Sequence, residues 1–344
     1  MMMTVDHPAT PAVSVLMTAY NAALYIREAI QSVLDQTFGD FELIVYDDGS
    51  TDGTSAIAKG FGDPRIRLIA DVNNKGITHA RQAALRAARG KYIAILDSDD
   101  VAFPSRLEKQ YQFLEAHPDV VLCGGNAVVI DESGNTTTQV LIPSYKPEEL
   151  KVKLFFNNIF VNSTVMYRRA EVLSLGGYRD REPAEDYDLF VRLADVYEIG
   201  MLVEEYFVRY RLHSNNSSYI KHKKLIEHVR EIKREQLASI GVANTETYVS
   251  TFEALIRGEF KDRAIEDFYE LLVALKSANL TSSKLPQTIF EKELFDRWYL
   301  MVTSMMPKKQ TASYLLRKGL FKVSLTSFKQ KRRIFKFWLR SLVG

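Results

Sequence analysis

The sequence predicts an α/β fold: a mainly parallel sheet flanked by helices, followed by a helical, basic C-terminal extension. Three observations carry this expectation. Short apolar runs rich in β-formers alternate with segments of helical period, which implies right-handed crossovers. Several of these runs break off abruptly into polar residues, as sheet strands do where they meet a site. Beyond Ile220 the chain turns to helical segments with few Gly or Pro, and Arg297 to Gly344 holds twelve Lys or Arg and no Asp or Glu.

Val13 to Met17 reads as the first strand, Thr18-Ala19-Tyr20-Asn21 as its turn, and Ala22 to Gln36 as a helix whose Leu24, Ala29, Ile30, Val33 and Leu34 share a face. Phe41 to Tyr46 is a second strand, and Asp47-Asp48-Gly49-Ser50-Thr51-Asp52-Gly53-Thr54 is a turn able to cap the helix that follows. Arg65 to Ala70 is a third strand, Gly76 to Ala88 a helix, and Lys91 to Leu96 a buried central strand. Pro104 to Ala116 is helical with proline in the first turn. Val120 to Ile130 reads as strand interrupted at Gly124-Gly125, with a hairpin through 131–135. A helix near Pro147 to Phe156, a strand over Asn162 to Arg168, a stretch over Glu171 to Leu175, a helix over Ala184 to Val196 and strands within 198–212 follow. His213 to Ser217 closes this part. The predicted division is 1–220, a helical extension over 221–306, and a basic tail over 307–344.

Hydrophobic content of 46% and charge of 26% exclude global disorder. Cys123 has no partner for an intrachain disulfide, which fits a reducing cytoplasm, and it reads as a small buried hydrophobe. No stretch is apolar enough for a membrane span, and Met1 to Pro11 lacks the basic and apolar regions of a signal peptide. The net charge of +2 conceals an asymmetry. All 43 acidic residues fall within 1–296, against 33 basic ones, so that region is negative by ten and the tail positive by twelve.

The central strand delivers Asp97, Asp99 and Asp100 to its carboxyl end. Carboxylates crowded there repel one another unless a cation neutralises them, and oxygen ligands suit Mg²⁺ or Mn²⁺. Taken alone, the same residues also read as solvated loop carboxylates or caps. The Asp47-Asp48 turn likewise needs no ligand, Glu185-Asp186 is a good first helical turn whatever its chemistry, Gly176-Gly177 can be a helix stop, and Arg81 can be a surface charge.

Taken in order, these stretches resemble the family-two glycosyltransferases of GT-A fold. The matching residues are Val13 to Asn21, Ser32 to Phe38, Phe41 to Thr54, Gly76 with Ala80-Arg81, Leu96 to Asp100 with Pro104 and Arg106-Leu107, Gly176-Gly177-Tyr178, Glu185 to Leu189, and Tyr210-Arg211 with His213, Asn216 and Ser218. The match spans about residues 12–218. It departs from the common pattern at Tyr46, where an aliphatic residue is more usual, and at Gln82, where Asn is common.

The resemblance implies an inverting enzyme that takes a hexose-type sugar from a UDP-sugar donor, with Mn²⁺ or Mg²⁺, at the strand ends after Leu16, Tyr46 and Leu96; a thymidine diphosphate donor shares the same imide edge. By the same resemblance Asp48 accepts the imide N–H of the base, Tyr20 offers its ring, and Thr18 lies at the same strand end. Arg81 meets the ribose or diphosphate, where its fork of donors suits phosphate oxygens. Asp97 and Asp99 serve as metal and ribose ligands, with Ser98 on the nucleotide-sugar side. His213 falls near diphosphate and metal. Asp186 is the general base, kept ionised by its helix N-terminus, and Glu185 contacts acceptor or loop.

A nucleotidyltransferase would share the acids and the sheet, but the turn Thr18-Ala19-Tyr20-Asn21 lacks the glycine-rich basic loop such enzymes show. A non-catalytic membrane-surface scaffold would be expected to lose a metal Asp or the base, and all are present. No nucleic-acid partner is expected, since no recognition motif accompanies the basic tail. In that tail a helical projection sets Arg332, Arg333, Lys336 and Arg340 opposite Ile334, Phe335, Trp338, Leu339 and Leu342, with Lys331 the exception. One expectation is an in-plane helix on an anionic membrane surface, which places a cytoplasmic enzyme at the inner face of the cell membrane beside a lipid-linked or cell-surface glycan acceptor. The other is a helix packed on the catalytic domain with its bases paired to acids.

Overall fold

The computed structural model describes residues 10–140, 145–214, 216–261, 263–317 and 319–342. Residues 1–9, where no signal peptide is expected, lie outside the described residues. So do Asn215 of the closing turn, Lys318 of the tail, and the side chains of Ser218, Arg340 and Leu342. β1 (Val13–Ala19), α1 (Ile26–Leu34), β2 (Phe41–Asp47), α2 (Thr54–Lys59), β3 (Ile66–Ala70), α3 (Ile77–Ala87) and β4 (Tyr92–Ile95) alternate as expected. Next come β5 (Val101–Ala102), α4 (Arg106–Ala116), the hairpin of β6 (Val120–Ile130) and β7 (Thr136–Val140), and α5 (Pro147–Phe156). β8 (Met166–Arg168), α6 (Arg169–Ser174), α7 (Glu185–Val196) and β9 (Glu198–Arg211) complete the sheet region. Helices then dominate: α8 (Ser217–Ile220), α9 (His222–Ser239), α10 (Thr245–Arg257), α11 (Ile265–Ser282), α12 (Gln287–Met305), α13 (Thr311–Leu315) and α14 (Phe328–Leu342).

Among the described residues one sheet runs β3-β2-β1-β4-β8-β6-β9-β5, with β7 beside β6. Its first four strands are parallel, the product of the alternating crossovers. Beyond β4 the sheet is mixed: β8 is antiparallel to β4 and β6, β9 is parallel to β6, and β5 is antiparallel to β9. β2 and β4 are buried along their whole length and β1 at every residue but Thr18, which is why they read as apolar runs.

Two local expectations differ. Gly124-Gly125 does not interrupt β6, because the strand keeps its pairing with β9 there through a register shift, and the Phe160 and Phe207 rings occupy the space above the two glycines. The segment expected as strand over Asn162 to Arg168 begins instead as a 3₁₀ turn, Asn162–Thr164, in which Thr164 N–H donates to Val161 O at 2.8 Å. Only 166–168 pairs in the sheet. The turn places Asn162 at the end of β4.

Internal contacts group the chain into two units. The first is 1–147 with 159–228, and its core joins Val13, Val15, Met17, Leu43, Val45 and Tyr92 to Ile26, Ile30, Leu107 and Leu114. The second is 148–158 with 229–344. Where the sequence reading drew boundaries at 220 and 306, Val152, Phe155 and Phe156 of α5 share a core with Phe252, Leu272, Phe290 and Trp298. Leu315, Leu320 and Ile334 of the basic tail join the same core. Among the described residues no helix is long and apolar enough to cross a membrane.

Candidate active site

Parallel register fixes the site. Leu16 lies beside Ile95 and Thr18 beside Tyr46, so the carboxyl ends of β1, β2 and β4 open on one edge and carry Thr18, Tyr20, Asp48 and Asp97 there together. The two loops at this edge are knitted. Asn21 N–H donates to Ser50 Oγ at 2.8 Å, Thr51 N–H to Asn21 Oδ1 at 2.9 Å, and Ala23 N–H to Asp52 Oδ2 at 2.9 Å. Gly49 sits at φ 77°, and a Cβ on it would lie 2.6 Å from the Asn73 carbonyl carbon, so this turn requires glycine. Tyr20 is half exposed, its ring open to solvent.

Asp48 is buried, and each of its oxygens accepts a backbone N–H: Oδ1 from Lys75 at 2.9 Å and Oδ2 from Gly76 at 2.8 Å. Burial raises its carboxyl above the ordinary range while those two N–H groups oppose the shift. Beside it Tyr46 Oη donates to Asp71 Oδ2 at 2.6 Å and Lys75 Nζ to Asp71 Oδ1 at 2.8 Å, with His79 Nδ1 3.6 Å from Oδ2. Asp48, Asp71 and His79 thus form a group of possible ligand atoms within 4.8 Å of one another. Their carboxylates are already occupied by the backbone, Tyr46 and Lys75.

At the end of β4, Arg81 of α3 spans two acids. Nη2 donates to Asp97 Oδ1 at 2.8 Å and Nη1 to Glu185 of α7, while Nε is buried without a partner. Asn162 Nδ2 reaches both Asp97 oxygens at 3.2 Å, and Asp97 N–H donates to Ser163 Oγ at 3.1 Å. Burial alone would lower the Arg81 pKa, but Asp97 and Glu185 outweigh it and hold the guanidinium firmly charged. Burial pushes Glu185 up to about 7 against the pull of Arg81, with Asp186 adding to the rise. Asp186 follows in the first turn of α7, where Oδ1 accepts Tyr187 N–H at 2.6 Å. Its carboxyl is also raised by burial, again opposed by Arg81, so the helix dipole does not have the last word.

The loop after Asp97 is held by β9. Arg211 donates from its backbone N–H to Asp100 Oδ1 at 2.8 Å, from Nε to Asp99 O at 2.9 Å, and from Nη2 to Glu28 at 2.7 Å. His213 Nε2 lies 2.8 Å from Asp99 Oδ2, and Asn216 Oδ1 accepts His213 N–H at 2.6 Å. Asp100 is fully buried and its Oδ2 has no partner. Burial, with the charges of Asp99 and Asp97, lifts that carboxyl well above the usual range. Underneath, the buried Arg106 donates to Ile95 O at 2.7 Å, Val165 O at 3.2 Å and Gln110 Oε1 at 3.0 Å, tying the end of β4 to the turn that carries Asn162.

All ten residues singled out from sequence therefore lie in one unit, and their partners are now specific. Asp99 pairs with His213, whereas Asp97 turns to Arg81 and Asn162. Both terminal nitrogens of Arg81 are taken by carboxylates, and Glu185 is buried against Arg81. Ser98 is buried between the two aspartates. Sequence reasoning missed Asn162, Asp71, Lys75 and His79. Asn162 was hidden inside a presumed strand, and the others carry no local signal beyond the unusual Tyr46.

A parallel half-sheet with acids, one buried arginine and a histidine gathered at its carboxyl edge defines a GT-A-type transferase. The chain belongs to glycosyl transferase family 2 and is a glycosyltransferase: the sequence model described as Glycosyl transferase family 2 matches residues 14–174. The uncharacterized glycosyltransferase MJ1057 of Methanocaldococcus jannaschii is 36% identical over 222 residues, which cover 62% of this chain and 76% of that protein. An uncharacterized glycosyltransferase of Haemophilus influenzae is 29% identical over 314 residues, 83% of this chain and 93% of the other. The crystal structure of S. aureus TarS 1–349 in complex with UDP-GlcNAc shares the fold at a TM-score of 0.58 and 18% identity, covering 96% of this chain and 90% of that one.

Proposed function

We propose that this glycosyltransferase moves a hexose-type sugar from a uridine diphosphate donor to a hydroxyl of a glycan acceptor, with inversion, and that Asp186 is the general base. The observation that carries this reading is Arg81 set between Asp97 at the strand end and Glu185, the residue before Asp186. It joins the donor edge of the sheet to the candidate base through one rigid group. Asp186 would take the acceptor hydroxyl proton as that oxygen bonds to the anomeric carbon; the bond from this carbon to the diphosphate breaks on the opposite face, its electron pair leaving with the nucleotide. A carboxyl raised by burial is a stronger base than a solvated one. Asp48, Thr18 and Tyr20 would hold the base, and Ser98 and Asp97 the ribose side. The UDP-GlcNAc bound to S. aureus TarS, a protein of the same fold, supports uridine as the nucleotide.

Asp99 and His213, a carboxylate and an imidazole in contact at the strand end, suit Mn²⁺ or Mg²⁺, whereas Asp97 is turned to Arg81 and Asn162. A divalent ion held by these residues would supply positive charge to the departing diphosphate.

The test is turnover of a panel of nucleotide sugars, with the product anomer read by NMR, in the native chain and in Asp186→Asn. Uridine donors should turn over with inversion, and the variant should keep donor affinity while kcat falls on the order of 10²-fold or more. A retained anomer, or a variant as fast as the native enzyme, refutes the mechanism.

A further inference from the structure

The last helix carries three faces where the sequence suggested two. α14 is started by a reciprocal cap, Ser327 N–H donating to Gln330 Oε1 at 2.8 Å and Gln330 N–H to Ser327 Oγ at 3.2 Å. Its packed face is Ile334 and Phe337, three residues apart, seated on the core of the helical unit, with Gln330 Nε2 donating to Asp296 Oδ1 at 2.7 Å. A second face holds Phe328, Phe335, Trp338 and Leu339 at spacings of three, four and seven, and these stay in solvent at 84, 57, 42 and 43% exposure. The third face is cationic, with Lys329, Arg332, Arg333 and Lys336 exposed, and Lys331 stands beside the aromatic stripe.

The pairing expected for a helix that only packs is absent. Two upstream cations are paired within the unit, Arg317 with Glu266 at 3.2 Å and the Tyr314 and Tyr269 rings, and Lys322 with Glu291 at 2.5 Å. Among the described residues Lys329, Lys331, Arg332, Arg333 and Lys336 have no carboxylate partner. An aromatic stripe left in water beside five unneutralised cations has a cost that one surface removes on both counts.

We infer that this face of α14 lies in the plane of an anionic phospholipid bilayer, with Phe328, Phe335 and Leu339 entering the headgroup boundary and the flanking lysines and arginines on lipid phosphates. A second copy of the chain would bring like charges together across the stripe, and a nucleic acid would leave the phenylalanines wet. The inference stands apart from the transfer reading. Combined with it, membrane binding would tether the enzyme to the surface that carries a lipid-linked acceptor.

The experiment is co-sedimentation of the full chain with phosphatidylcholine vesicles, with and without phosphatidylglycerol, at low and high salt. Two variants accompany it: Phe328→Ser/Phe335→Ser/Leu339→Ser and Arg332→Gln/Arg333→Gln/Lys336→Gln. Thermal unfolding and uridine diphosphate binding serve as fold controls, and none of these residues belongs to the candidate site. The native chain should pellet only with the anionic vesicles. The apolar variant should partition at least about tenfold less, and the charge variant about a hundredfold less at roughly fivefold per cation. No pelleting at low salt, equal pelleting with neutral vesicles, or an apolar variant that binds as well as the native chain overturns the proposal. So does an apolar face that proves to mediate self-association without vesicle binding.

Discussion

Glu185 gives one carboxylate oxygen to Arg81 and keeps the other buried without a partner. A carboxyl so placed is held up at about 7, chiefly by burial, against 4.5 when solvated. The folded chain therefore binds this proton more tightly than the unfolded chain does, and the stability it contributes is full below pH 4.5 and lost as pH rises through 7. The melting temperature of the sheet unit should fall between pH 4.5 and 7.5, and Glu185→Gln should remove part of that fall, on the order of 1–3 kcal/mol. Identical pH profiles for the two proteins would show that another group carries the proton.

Asp48 accepts one N–H on each oxygen, so Asp48→Asn can accept only one of them and turns an amide NH₂ toward the other. The loop at Lys75 and Gly76 should loosen, and affinity for uridine diphosphate should fall about 10- to 100-fold by calorimetry, about 1–3 kcal/mol. Unchanged affinity would leave Asp48 a loop anchor and nothing more.

The Asp99–His213 pair gives the metal proposal its own readout. Chelation should weaken uridine diphosphate binding to the native chain, and Asp99→Ala or His213→Ala should bind it equally with and without Mn²⁺. A metal effect that survives in both variants places the ion elsewhere, and the group at Asp48, Asp71 and His79 is then the next to mutate.

Arg106 is buried, and Arg106→Met would take a donor from the Ile95 and Val165 carbonyls and from Gln110 Oε1. The expected loss is about 3 kcal/mol of stability in urea unfolding, with uridine diphosphate binding weakened because the end of β4 moves. A loss within 0.5 kcal/mol, roughly the scale of an exposed substitution, would contradict the positioning argument.

The strand ends were legible because each apolar run stops at a polar residue, as at Leu16 to Thr18 and Leu96 to Asp97, and burial on both faces makes such runs unmistakable. The Arg81–Glu185 bridge was not, since it joins residues 104 positions apart on two helices and no local pattern encodes that pairing. Asn162 was lost to a wrong period: a 3₁₀ turn and three strand residues together look like one extended segment. In the tail, helical projection grouped Ile334 with Phe335, yet the first is buried and the second is exposed. A single helix can divide its apolar residues between a core and a surface, and only packing reveals where the division falls.

The path of the chain through the helical unit constrains how that unit can be exchanged. Because 148–158 belongs with 229–344, a fusion made at 228 would separate Val152, Phe155 and Phe156 from the core they share with Phe252, Phe290 and Trp298. Chimaeras intended to transplant this unit between relatives have to carry both stretches together. The eleven-residue piece in the middle of the gene is as much a part of the graft as the long C-terminal one.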